Sequence, residues 1–128
     1  MTNNRFLVAV LRLDAIATGA VGVLLIAAAP FIADRLGPPT ALSRTSGALL
    51  VAWAIVVALV AQRPSAQGVR AVIGVNLAWA VASVAYALVD DRLTAPGVTL
   101  TLLQAAAVLA FAALQTVGLR KPNEAAVR

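Results

Sequence analysis

One acid lies well inside an apolar stretch of this chain, Asp14. A carboxylate in such surroundings can bind a cation, exchange a proton or pair with a base, and it is costly to bury with none of these. Arg12, two residues earlier, can neutralise it or turn outward to a polar interface. Asn76 and Gln115 stand in later apolar stretches, and each carboxamide carries both donors and an acceptor. Trp79 adds an indole N–H that needs a partner when buried, and Asn76 lies one helical turn away. Asp14, Arg12, Asn76, Trp79 and Gln115 are therefore the candidate ligand or proton-site residues, with Thr18, Ser83 and Gln104 as the remaining polar core. The competing role is interhelical glue, in which a buried polar side chain contributes about 0.6 kcal/mol and rarely near 2.

Other chemistries are excluded. There is no cysteine and no histidine, so thiolate nucleophiles, disulfides and imidazole-based catalysis or metal binding are impossible. No catalytic triad, phosphate-binding glycine loop or metal-ligand cluster is present, and no metal or cofactor is expected. Asp90 and Asp91 could hold a cation loosely but read as a solvated loop. Aromatic residues make up 5% of the chain, which leaves little scope for an aromatic ligand cage, and Trp53, in mid-run, reads as packing. The net charge of +5 comes from ten basic residues in the gaps between apolar runs. That distribution suits membrane flanks and not a nucleic-acid surface.

The elements that must position these residues follow from composition. The chain has 128 residues, 62% apolar and 12% charged, whereas a water-soluble domain carries about 25% charged residues. Four runs, at about 6–30, 41–61, 69–89 and 97–119, meet the roughly 20 residues that a membrane span requires. Residues 34–40 form a turn in which Pro38 and Pro39 deny the backbone donors a helix needs. Residues 62–68 and 90–96 are the other connections, and Pro96 suits a helix start. The first run is a retained helix and not a cleaved signal: Ala27-x-Ala29 resembles a cleavage site, but Pro30 follows it directly. Short connections favour antiparallel neighbours. The expected fold is all-α: a single membrane domain over 1–128, built as a four-transmembrane-helix up-down bundle.

Orientation follows from the basic residues. Arg5, Arg12, Arg63, Arg70, Arg120, Lys121 and Arg128 fall on the side of the termini, and Arg35, Arg44 and Arg92 on the other, seven against three. The bias places both termini in the cytoplasm and the chain in the plasma (inner) membrane. Membrane lipids, a second copy of the chain or another membrane protein are the expected partners.

Within the runs, polar and small residues recur at helical spacing. Asp14, Thr18, Gly22 and Leu25 step by 4, 4 and 3; Asn76, Trp79, Ser83 and Tyr86 by 3, 4 and 3; Thr101, Gln104, Val108, Phe111 and Gln115 by 3, 4, 3 and 4. Each series marks one face of a helix. Asp14 lies about 12 Å from the cytoplasmic edge at 1.5 Å per residue, with Asn76 at a similar level and Gln115 slightly shallower. Facing inward, the three can satisfy one another. Ala15/Gly19 and Thr18/Gly22 have the small-xxx-small spacing that permits close helix approach, and Ser43 and Gly47 offer small residues on the second run.

The stretches Leu11-Arg12-Leu13-Asp14-Ala15, Asn76-Leu77-Ala78-Trp79-Ala80-Val81-Ala82-Ser83 and Leu114-Gln115-Thr116-Val117-Gly118-Leu119-Arg120 resemble those of small, uncharacterised four-helix integral membrane proteins of bacteria. That resemblance implies the fold but no activity. Small multidrug resistance transporters are similar in length, helix number and a membrane acid in the first helix, although their acid is glutamate and their drug-binding aromatic residues are scarce here. Two functions follow as expectations. The first is a non-enzymatic, self-associating or accessory membrane module around a polar intramembrane cluster. The alternative is a small transporter or lipophile-binding protein that uses Asp14 as a proton or cation site.

Overall fold

The computed structural model describes residues 4–122; the basic residue Arg128, counted above, lies outside them. The described chain is all helix, with α1 at Arg5–Ala27, α2 at Ala29–Leu36, α3 at Thr40–Gln62, α4 at Ala66–Val89 and α5 at Ala95–Arg120. All but α2 are long and apolar enough to cross a membrane. They follow the four expected runs with three differences: α4 begins at Ala66, three residues before its run, which shortens the connection expected over 62–68, and the other two lie around α2.

The first run does not continue to residue 30. It stops at Ala27, and a short helix follows. Proline has no N–H to donate to the carbonyl four residues back, and its ring crowds that carbonyl. The chain therefore bends at Ala28 and restarts with Pro30 in the first turn of α2, where a missing donor costs nothing. The turn expected over 34–40 is correspondingly shorter, because Asp34, Arg35 and Leu36 complete α2. Gly37 ends it at φ 108°, a left-handed conformation that favours glycine.

The remaining helix ends are set by local chemistry. Ser65 Oγ accepts from Gly68 N at 3.0 Å and Thr94 Oγ1 from Gly97 N at 3.1 Å, so both residues act as N-caps. Between α4 and α5, the Arg92 guanidinium donates to both carboxylate oxygens of Asp90 at 2.8 Å and holds this carboxyl well below the usual carboxylate range. Asp90 is thus engaged by a base within its own loop.

Packing is pairwise. α1 lies along α3 and α4 along α5, and the pairs meet mainly through α1 and α5; α3 and α4 touch little, although only a short connection joins them. The α1–α3 seam is closest where Gly22 and Gly47 oppose one another, so these two small residues, with Gly19 against Ala54, set the approach of the helices. At one end of the molecule Leu7, Leu11, Val57, Val69 and Val72 form an apolar plug. At the other, Thr94 ties the α4–α5 loop to α2, its N–H reaching Leu36 O at 3.0 Å and its hydroxyl Arg35 O at 2.9 Å.

Asn4 ties the plug end. Its Oδ1 accepts from Leu7 N at 2.7 Å, and its Nδ2 donates to Gly118 O at 3.0 Å. The side chain both caps α1 and pins it to the last turn of α5. Asn4→Ala is expected to cost about 1–2 kcal/mol, the upper part of the range for a lost cap, with amide exchange accelerating first in the opening turn of α1. Unchanged exchange there would show that the plug alone holds the end.

Candidate functional site

The polar layer sits directly above the apolar plug. α1 contributes Asp14, α4 Asn76 and α5 Gln115, from the helix faces marked by their sequence spacing. Their exposures are 2%, 5% and 0%. Asp14 Oδ2 accepts from Asn76 Nδ2 at 2.9 Å and from Gln115 Nε2 at 2.6 Å, while its Oδ1 accepts from Thr18 Oγ1 at 2.9 Å. Asn76 Nδ2 also donates to Gln115 Oε1 at 3.1 Å, closing a ring of three side chains from three helices. An ionised carboxylate only accepts, and it has room for about four hydrogen bonds; three donors meet it here.

This arrangement explains how an acid is tolerated among apolar helices. Each donor turns a partial positive charge toward the carboxylate and replaces part of the hydration it has lost. The helices supply these donors at one level because α1 and α5 run antiparallel, with Leu7 beside Gly118 and Asp14 beside Gln115.

Several expectations are corrected. Arg12 does not neutralise Asp14: it is exposed, and no ion pair joins the two among the described residues. Only two positions separate them, which on a helix is about 200° of rotation, so a buried Asp14 points Arg12 outward. Trp79 does not find its partner in Asn76. Its Nε1 donates across to α5, to Gln104 Oε1 at 3.0 Å, and Gln104 Nε2 in turn donates to Thr101 O at 3.0 Å. Asn76 turns its carboxamide toward Asp14 and Gln115, and the indole reaches the carboxamide oxygen that Gln104 presents from α5. Ser83 is buried but makes no side-chain hydrogen bond to another helix among the described residues.

Above the polar layer the helix pairs part around a cleft of about 90 Å³ to which α1, α3, α4 and α5 all contribute. Thr18, Asn76 and Gln104 form its polar edge; Trp53, Trp79 and Phe111 supply aromatic surface. Of three Phe, one Tyr and two Trp in the whole chain, one Phe and both Trp thus stand around a single space. Aromatic residues are few, and the folding of distant segments brings half of them to one space. Trp53, which its place in mid-run marks as a packing residue, is one of the two tryptophans here. Its Nε1 is buried and has no hydrogen-bond partner among the described residues, and the one sequence signal for this is an N–H-bearing ring in mid-run.

Compared with family models, curated proteins and solved structures, the chain matches none. The site therefore stands on its own geometry: a buried carboxylate held by two carboxamides and a hydroxyl, next to a cleft with aromatic walls.

Proposed function

We propose that the chain is a multi-pass protein of the plasma (inner) membrane, an up-down bundle with both termini in the cytoplasm, serving as a non-enzymatic self-associating or accessory module. The observation that carries this reading is the inversion of polarity. Leu13, Ile16, Leu49, Val81 and Leu88 are 59%, 69%, 61%, 70% and 78% exposed, while the acid and carboxamides are buried. Apolar surface costs about 25 cal/mol per Å² in water and nothing comparable in hydrocarbon. The bias of basic residues supports the orientation. The three donors on Asp14 support a structural role, since a catalytic acid or base must reach a substrate proton. Exposed Gly74, Ala78, Ala82 and Ala85 on α4 step by 4, 4 and 3, the small-residue face on which a second helix can approach closely.

Native mass spectrometry of the protein, gently extracted from its own membrane, tests the module. A homo-oligomer or a stoichiometric protein partner is expected; a bare monomer overturns self-association. Asp14→Asn retains the acceptor for Asn76 and Gln115 and removes a charge, so it is expected to cost only about 0.5–1.5 kcal/mol and to leave assembly intact. Loss of assembly in that variant would give the charge itself a role.

One observation favours the transporter alternative: Asp14 has no base beside it among the described residues, and its donors leave acceptor capacity. On that reading, proteoliposomes show pH-dependent cation uptake that Asp14→Asn abolishes.

A further inference from the structure

The two ends of the molecule differ in how their bases are answered. Where α1 and α4 begin and α3 and α5 end lie Arg5, Arg12, Arg63, Arg70, Arg120 and Lys121, all exposed. The one acid near them among the described residues, Asp14, is buried and takes its hydrogen bonds from Thr18, Asn76 and Gln115. At the α2 end, by contrast, Arg35, Arg44 and Arg92 stand with Asp34, Asp90 and Asp91. Arg92 is held by Asp90 at 2.8 Å, and Arg35 lies 3.7 Å from Asp34. Arg12 is the clearest case of a base left unanswered. It makes no hydrogen bond or ion pair among the described residues, and it sits about 10 Å along α1 from Arg5. An exposed guanidinium at that depth in a membrane is costly unless its side chain reaches an anion at the headgroup level.

We propose that the outer face of α1 binds an anionic phospholipid, with its phosphate on Arg12 and its chains against Leu13 and Ile16. The inference rests on the membrane reading above. Arg5, Ala9, Arg12, Leu13 and Ile16 are all exposed on one side of α1. Arg5 and Arg12 are two turns apart, nearly in line along the helix, and the small Ala9 leaves a notch between them. A guanidinium presents a fork of donors that matches two phosphate oxygens. The last turn of α5 adds charge beside this face: Asn4 Nδ2 donates to Gly118 O at 3.0 Å, and the Lys121 ammonium lies 5.0 Å from the centre of the Phe6 ring. Toward mid-membrane the face becomes apolar, with Leu13 59% and Ile16 69% exposed. A base below and apolar surface above fit an amphiphile better than a free phosphate. The headgroup must carry a net negative charge, because a zwitterionic one brings its own cation to a place that already holds several. A second copy of the chain in the same orientation cannot supply the anion, since its exposed described acids, Asp34 and Asp91, lie at the other end.

Native mass spectrometry of the detergent-solubilised full-length protein tests this, with phosphatidylglycerol and phosphatidylcholine of the same acyl chains offered in equal amounts. The protein is expected to retain phosphatidylglycerol in preference. Arg12→Gln is expected to lower that retention about fivefold, the worth of one base at an anionic surface, and an unchanged unfolding midpoint in phosphatidylcholine shows that the fold persists. Arg35→Gln removes the same charge from the other end, where Asp34 stands beside it, and is expected to leave retention unchanged. Equal losses in the two variants overturn the site in favour of net charge alone. Equal retention of the two lipids by the wild type overturns the anionic headgroup. Displacement of phosphatidylglycerol by excess inorganic phosphate overturns the lipid in favour of a free anion. The membrane reading fails separately: a chain that stays dissolved without detergent and holds neither lipid overturns both, whereas a chain that needs detergent and holds both lipids equally overturns the site alone.

Discussion

Asn76→Leu is expected to lower the unfolding free energy by about 2–3 kcal/mol, far more than a typical hydrogen bond in a membrane bundle, about 0.6 kcal/mol. The difference arises from what is left behind. Asn76 donates to Asp14 Oδ2 and to Gln115 Oε1. Removing it strips a buried carboxylate of one of three donors and leaves a fully buried carboxamide oxygen without any. Each stranded group costs about 1–3 kcal/mol, more when charged. Adding Asp14→Leu to the same chain removes the stranded charge, so the double variant is expected to be more stable than the sum of the two single effects. Reversible unfolding of the wild type, both single variants and the double variant in mixed micelles closes the cycle. Additivity within about 0.5 kcal/mol would mean that the two side chains do not act as a unit.

The second large effect is steric. At their closest approach α1 and α3 present bare backbone to each other. A Cβ built on Gly47 falls 2.5 Å from the carbonyl oxygen of Gly22, and one built on Gly22 falls 2.8 Å from that of Gly47. A flexible side chain could swing aside from such a contact, but a helix backbone cannot. Gly47→Ala must therefore part α1 from α3 and is expected to cost about 2–3 kcal/mol, at the upper end for overpacking. Gly19→Ala is the control, since its added Cβ comes no closer than 3.5 Å, to Ala54 Cβ, an ordinary contact, and gains up to about 1 kcal/mol of helix propensity. Equal thermal stability of the two variants would show that the seam yields without loss.

The moderate cost expected of Asp14→Asn fits the same picture. The charge is not what binds the helices; the acceptor is. A carboxamide at that position still receives Asn76 and Gln115 on its oxygen, and Thr18 can rotate its hydroxyl to accept in place of donating.

Much of the framework is legible without coordinates. Run length and composition mark α3, α4 and α5 to within a few residues, because a helix of about 20 apolar residues is a property of its own stretch of chain. Pro96 falls where a helix start tolerates it. The stripes through Asp14, Asn76 and Gln115 mark the faces that turn inward, because 3.6 residues per turn fixes which positions share a side. The break at Ala28 was available in principle from Pro30, but hydropathy runs smoothly through it, and apolarity alone cannot distinguish one bent helix from two.

Only the tertiary structure decides which faces meet. Spacing aligns Asn76 and Trp79 on one stripe, but the rotation and height of α5 determine that Asn76 takes Asp14 and Gln115 while Trp79 takes Gln104. Likewise Trp53, Trp79 and Phe111 come from three helices, and no local rule relates residues 26 or more positions apart. Their convergence depends on α1 pairing with α3 and α4 with α5, with the two pairs left slightly apart between the polar layer and the α2 end. Such pairing is the sum of many small packing contacts, none written at a single position. The sequence by itself thus determined the helices and their polar faces; the pairing of those faces, and with it the cleft, was decided by packing.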